Sequence, residues 1–208
     1  MTDADAKPTP AQRPAGQRWW PLAAVALPLV VYVATLTPTV LDGDAATFAR
    51  QAHVLGLAHA PGYPLVGMAG RAVTAVVPFG DPGWQANLVG ALAAAASLAL
   101  AYALARRWGA GPVPATMAAW VLAFSPLFWS QALFINPYML GVAVALGVFL
   151  LLDVWAERRG LWLLAAAAAL YGFGMGGHPS LALYLPGVAA FVLVKLRGDG
   201  WRRIALSA

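Results

Sequence analysis

The chain has 208 residues, of which 61% are apolar and 10% charged, with a net charge of +5 and a mean hydropathy of +0.70. Soluble domains run at about 45–50% apolar and about 25% charged. A soluble enzyme, a disordered chain and a nucleic-acid binder with a basic stripe are therefore excluded, and an integral membrane protein is left.

Residues 1–18 are polar, rich in proline and alanine, and read as a disordered cytoplasmic tail. An apolar run over 19–41 follows, enough for roughly 34 Å of helix. It is longer than the roughly 7–15-residue apolar core of a signal peptide and has no small-residue cleavage site after it. It reads as a retained first span. Further spans fall at about 85–105, 113–131, 137–153, 161–176 and 180–195. Between them lie Arg106-Arg107-Trp108-Gly109, Asn136-Pro137, Glu157-Arg158-Arg159-Gly160 and Gly176-Gly177-His178-Pro179. Pro126 is expected to kink or stop the third span. The last two spans are short against a hydrocarbon core of about 30 Å.

The segment 64–79 is also apolar, but Arg71 sits in its middle, at an insertion cost of about 2.5–3.5 kcal/mol. Charge placement decides whether it spans, because cytoplasmic loops collect Lys and Arg. With six spans, the inside receives Lys7, Arg13, Arg18, Arg106, Arg107, Arg158, Arg159, Lys195, Arg197, Arg202 and Arg203, and the outside only Arg50 and Arg71. A seventh span at 64–79 would reverse this and put most cations outside. The expectation is an all-α, polytopic membrane protein of about six transmembrane helices, with the N-terminus inside. It has a membrane module over 19–195, an outer loop at 42–84 and a basic cytoplasmic end at 196–208.

This topology puts all three histidines outside, together with Asp42, Asp44 and Asp81. The outer loop should hold two interfacial helices, about 45–57 and 64–77. The fixed turn His59-Ala60-Pro61-Gly62-Tyr63-Pro64 divides them. Asp44 sits where the first span leaves the membrane. It suits a helix N-cap, and partial desolvation there suits a general base; the two readings are compatible. His53, His59 and His178 match no recognised zinc spacing, and hydrogen-bonding roles rank ahead of metal ligation. Arg50 and Arg71 fit either snorkelling to the interface or recognition of a lipid-linked phosphate. Asn136 is placed to cap the fourth span. With no cysteine, disulfides, thiolate metal sites and a cysteine nucleophile are ruled out.

Thr37-Pro38-Thr39-Val40, then Asp44 to Phe48, then Leu55-Gly56-Leu57-Ala58-His59-Ala60-Pro61-Gly62-Tyr63-Pro64-Leu65 resembles a bacterial membrane family. That family is related to the transmembrane protein O-mannosyltransferases, within the GT-C glycosyltransferases. Asn87, Phe128-Trp129, Tyr138 and His178 extend the resemblance over roughly 25–195. It implies a GT-C-type transferase module that moves a sugar from a polyprenyl-phosphate donor to an acceptor hydroxyl of a protein or glycan on the outer face of the cytoplasmic membrane. Asp44 would be the catalytic acid-base residue. His59, Arg50, Arg71, Tyr63, His178, Asn136 and Tyr138 would bind substrate. No resident cofactor is expected beyond the lipid-linked sugar phosphate as donor substrate, and no metal site is assigned, a divalent ion being left open.

Two positions depart from the family pattern. Thr47 stands where a Glu is usual, three residues after the Asp, and Asn136 stands where an acid usually precedes the aromatic residue. The family's members usually carry more spans and often a soluble C-terminal domain, so the chain is expected to be the N-terminal module. The alternatives are a non-catalytic membrane subunit or lipid-phosphate-binding module and, third, a small transporter. No internal repeat favours the last.

Overall fold

Proline decides where most of the helices begin. It lacks an N–H, which the first helical turn does not need, and its φ is already helical. The computed structural model describes residues 19–199. Helices α3 (Pro64–Val76), α4 (Pro82–Arg107), α5 (Pro112–Ala123), α6 (Pro126–Ala132) and α7 (Pro137–Arg158) all start on proline, as does a short 3-10 helix (Pro179–Tyr184). The remaining helices are α1 (Trp20–Ala34), α2 (Asp44–Val54), α8 (Leu161–Met175) and α9 (Leu185–Asp199). The described residues hold no strand. The tail expected over 1–18, and residues 200–208 of the basic end, lie outside the described residues.

The fold is all-helical, as expected, but the spans are not six uniform helices. Three runs are long and apolar enough to cross a membrane: Pro82–Arg107, Pro137–Arg158 and Pro179–Arg197. A fourth is the pair α5 and α6, bent by 73°. Ser125 is pushed to an extended conformation by Pro126 and its Oγ bonds back to the Leu122 carbonyl, so the expected span 113–131 breaks there. The first span was expected to run to residue 41, yet α1 ends at Ala34. Pro38 follows closely and disfavours continuation of the helix, although α1 does accommodate Pro28 in its interior, and 35–41 leaves as irregular chain. α1 and α8, 15 residues each, reach only about 22 Å.

Helix α4 is the central element, buried on nearly every side, and its alanines let neighbours approach closely. α1, α5 and α6 pack on one side of it with Tyr32 fully buried, its hydroxyl donating to the Ala123 carbonyl at 2.8 Å. α7 carries α8 and α9 around Trp155. The two helices expected over about 45–57 and 64–77 are present: α2 and α3 lie side by side against the start of α4. Gly67 and Gly70 make this possible, since a Cβ there would lie 2.7 Å from Gln51 and 2.5 Å from Ala52. α3 begins beside the end of α8 (Leu65 N–H to Gly176 O, 3.0 Å) and leads directly into α4, so it stays at one end of the bundle.

That end is tied together by Asn87, 1% exposed on the second turn of α4. Its amide donates to the Thr37 and Thr39 carbonyls, both at 3.0 Å, and accepts from the Ile135 N–H at 3.1 Å. Gly83 and Gly90 lie on the same face, one turn either side. A Cβ on Gly83 would meet Val40 N at 2.2 Å, and one on Gly90 would meet Phe134 O at 2.3 Å. Two irregular segments thus rest directly on the α4 backbone.

Replacing Asn87 by Leu orphans two carbonyls and one N–H at a buried site. Each orphaned group costs about 1–3 kcal/mol. The Asn87→Leu protein should show a clearly lowered midpoint in detergent thermal unfolding followed by tryptophan fluorescence; an unchanged midpoint would refute the clamp.

Candidate functional site

At the end held by Asn87, a cavity of about 460 Å³ opens between the 41–48 segment and the α6–α7 junction. This is the size of ordinary ligand cavities. Asp42, Asp44, Phe48, Tyr63, Asn136 and Tyr138 are among its lining residues. Five of the expected site residues therefore meet here: Asp44, Tyr63, Asn136 and Tyr138 in the wall, with His59 joining through Asp44.

Asp44 is the first residue of α2, not its cap. Gly43 occupies the N-cap with φ +73°, a backbone glycine adopts without penalty, and the Asp44 side chain makes no capping bond. The N-cap expectation is therefore corrected. Nor does the chain itself desolvate the carboxylate, which is 76% exposed at the cavity rim. Its neighbour is His59 Nδ1, 3.9 Å from Oδ1. The carboxylate is thus free to meet an incoming group while the imidazole stands beside it.

Behind the acid lies a continuous set of rings. Phe48, His59 and Tyr63 contact one another at centroid distances of 5.1–5.6 Å. His178 then bridges Tyr63 (5.8 Å) and Tyr138 (5.3 Å). Tyr63 is held with φ +48°, uncommon for a residue with a side chain. The buried Gln51 secures this turn by donating to the Gly62 carbonyl at 2.8 Å. His178 caps the 3-10 helix: the Ser180 N–H donates to its Nδ1 at 3.0 Å. A neutral ring with Nδ1 as acceptor carries its proton on Nε2, so Nε2–H is the donor left for a ligand.

Asn136 behaves differently from its neighbours. It is 2% exposed and caps α7, accepting from Tyr138 and Met139 N–H. Its Nδ2 donates to the Gln131 and Phe134 carbonyls. The capping expectation holds, and it leaves the amide no free hydrogen-bonding capacity for a substrate. Thr47 does not line the cavity.

The two outer cations are not brought to the acids. Arg50 is exposed on α2 and lines no wall of this cavity. Arg71 donates to the His53 carbonyl at 3.3 Å, at the far end of α2 from Asp44, where a cation complements the helix dipole. His53 meets the Pro82 carbonyl at 3.0 Å rather than joining His59. Among the described residues no group of three His, Asp or Glu is arranged to hold a metal ion.

Sequence reasoning missed Gln51 and Gln131, polar residues on otherwise apolar surfaces, and Ser180, which orients His178. Gln51 finds its partner eleven residues on, at Gly62, whereas Ser180 meets His178 only two residues away.

An all-helical bundle with helices fit to cross a bilayer is the architecture of a membrane protein, and here a cavity walled by acids and aromatic rings opens at one end. Residues 44–201 match the family described as Protein O-mannosyl-transferase TMEM260 N-terminal domain, and the chain belongs to that family. It is 27% identical over 180 residues to Protein O-mannosyl-transferase TMEM260 of Mus musculus, covering 84% of this chain and 26% of that protein. It is 27% identical over 132 residues to Protein O-mannosyl-transferase tmem260 of Dictyostelium discoideum, covering 62% of this chain and 16% of that protein. The chain thus spans about a quarter or less of the length of these curated relatives. No solved structure matches it.

Placing an acid at position 136 should be harmful. Asn136→Asp removes two N–H donors and sets a carboxylate against two carbonyl oxygens. A loss on the order of 2 kcal/mol is expected, read as a lower unfolding midpoint in detergent. An equal midpoint would mean that the donor half of the amide is dispensable.

Proposed function

We propose that this chain is a membrane glycosyltransferase module. It transfers a sugar, mannose by analogy with the relatives' names, from a polyprenyl-phosphate donor to an acceptor hydroxyl on the outer face of the cytoplasmic membrane. The observation that carries this reading is the exposed Asp44 carboxylate at the rim of a ligand-sized cavity, beside His59 and backed by aromatic rings.

Asp44 accepts the proton of the acceptor hydroxyl as its oxygen attacks the anomeric carbon. The bond from that carbon to the phosphate oxygen breaks, its electron pair leaves with the polyprenyl phosphate, and the sugar configuration inverts. His59 steadies the carboxylate. The ring faces of Tyr63 and Tyr138 offer apolar surface to the sugar, with hydroxyls at their edges. With Arg50 and Arg71 away from the cavity, the leaving phosphate meets the Nε2–H of His178 and the tyrosine hydroxyls as donors. Charge supports the orientation: Arg106, Arg107, Arg158, Arg159, Lys195 and Arg197 lie at the opposite ends of α4, α7 and α9. A second reading, a lipid-phosphate-binding module without catalysis, is favoured by one observation: Asn136, where the resemblance leads to the expectation of an acid, is occupied entirely in capping.

The test is transfer of labelled mannose from polyprenyl-phosphate mannose by the complete protein in proteoliposomes. Asp44→Asn should lower the rate by at least about 100-fold, the lower range of general-base contributions. Its thermal midpoint should barely move, because an exposed first-turn acid is worth about 0.3–1 kcal/mol. Transfer at the wild-type rate would remove Asp44 from the mechanism. Absence of transfer by the wild type, with saturable binding of the lipid, would favour the second reading.

A further inference from the structure

Far from the acid cavity, toward the basic ends of α7 and α9, a slot of about 340 Å³ opens between these two helices beside the end of α4. Phe149 and Leu152 of α7 and Gly187 and Phe191 of α9 form its apolar walls, with Asp153 and Trp108 on the side of the basic end. Phe149 lies nine residues before the end of α7 at Arg158, about 14 Å along the helix. That is about the depth of one leaflet's hydrocarbon. Gly187 faces open space, since a Cβ there would meet nothing within 4 Å. The run Pro179–Arg197 is fit to cross a membrane yet almost unburied by protein. The slot is thus an apolar recess of leaflet depth beside a helix that no protein covers.

Charge distinguishes this recess from an ordinary gap between helices. Its acids are already answered: Arg107 Nε donates to Asp153 at 2.5 Å, Arg107 Nη2 lies 2.8 Å from Glu157, and Trp108 Nε1 reaches Asp153 at 3.4 Å. Arg159 Nη1 donates to the Lys195 carbonyl at 3.2 Å, with its guanidinium 5.2 Å from the Trp155 ring centroid, and so joins the ends of α7 and α9. The Lys195 ammonium lies 5.7 Å from the ring centroid of Phe191, itself a wall of the slot. A cation therefore stands one helical turn beyond an apolar recess, with the exposed Trp108 indole at the same end. An apolar chain carrying an anionic head matches both parts, because a basic residue at headgroup depth attracts anionic lipid.

We propose that the slot between α7 and α9 seats one acyl chain of an anionic diacyl phospholipid from the leaflet at the basic end, with its headgroup against Lys195. The site is separate from the acid cavity and does not depend on the transferase reading. A second copy of the chain, or a further helix of the protein, would fill the slot without needing the Lys195 cation.

The experiment titrates the complete protein in detergent with phosphatidylglycerol or phosphatidylcholine and reads the first bound lipid by native mass spectrometry. The wild type should prefer phosphatidylglycerol. Lys195→Gln should lower that preference about fivefold and leave phosphatidylcholine unchanged. Arg197→Gln, two residues on and so on the other side of α9, should leave the preference intact. Gly187→Phe fills the slot and should weaken both lipids about tenfold with the thermal midpoint held. If that ring lowers the midpoint, the smaller Gly187→Leu carries the same expectation. An equal loss in Lys195→Gln and Arg197→Gln overturns the proposal, since it would mark general surface charge. Wild-type lipid binding by the slot-filling variants also overturns it, and a changed oligomeric mass in those variants would assign the slot to a second copy. A wild type that binds no lipid in preference to phosphatidylcholine overturns it as well, leaving a further helix as the occupant.

Discussion

The geometry of the site end depends on one side-chain amide. Asn87 holds the exit of α1 with two donated bonds and the entry to α7 with one accepted bond. Those two segments are irregular, and irregular backbone inside an apolar bundle must find partners within the protein. A single Asn can donate to two carbonyls while accepting from an N–H; a hydroxyl has only one proton to donate and a carboxylate none. Gly83 and Gly90 let both segments lie against α4 closely enough for those bonds to form. The distance between Asp44 and Tyr138 is therefore set by packing around residue 87, not by either local segment.

The same end shows two uses of a polar group in an apolar setting. Asn87, Asn136 and Gln51 donate to backbone carbonyls and hold turns in place. The Asp44 carboxylate and the Tyr138 ring are exposed at a cavity. Buried amides build the frame; the exposed groups face space that a ligand can enter. At the opposite end Arg107 pairs with Asp153 and Glu157, joining the ends of α4 and α7 away from the site.

Much of the fold was legible along the chain, for local reasons. Proline at a helix start and the Pro126 break act through the conformations of the residues beside them. Arg71 and the count of cations argued against a span at 64–79, and α3 there has 13 residues, shorter than the runs fit to cross a membrane. The site was legible only in part. Asp44, His59, Tyr63 and Tyr138 stand among the residues that carry the family resemblance, and the structure gathers them. Arg50 and Arg71 stood out as the cations of the same loop and are not gathered, because the facing of a helix depends on what it packs against. The N-cap reading of Asp44 failed because Gly43 takes a backbone conformation that spacing does not reveal.

By itself the sequence determined the class of the protein, the grouping of Arg106, Arg107, Arg158 and Arg159 at helix ends and the starting points of most of its helices. These follow from composition, charge and the covalent geometry of proline, which each residue carries wherever it sits. Only the tertiary structure decided which polar groups meet and which of them remain open. Asp44, Tyr63, Gln131, Tyr138 and His178 come from five separate parts of the chain. Their distances follow from how deeply the helices pack at Gly67, Gly70, Gly83 and Gly90, and local spacing carries no information about that depth.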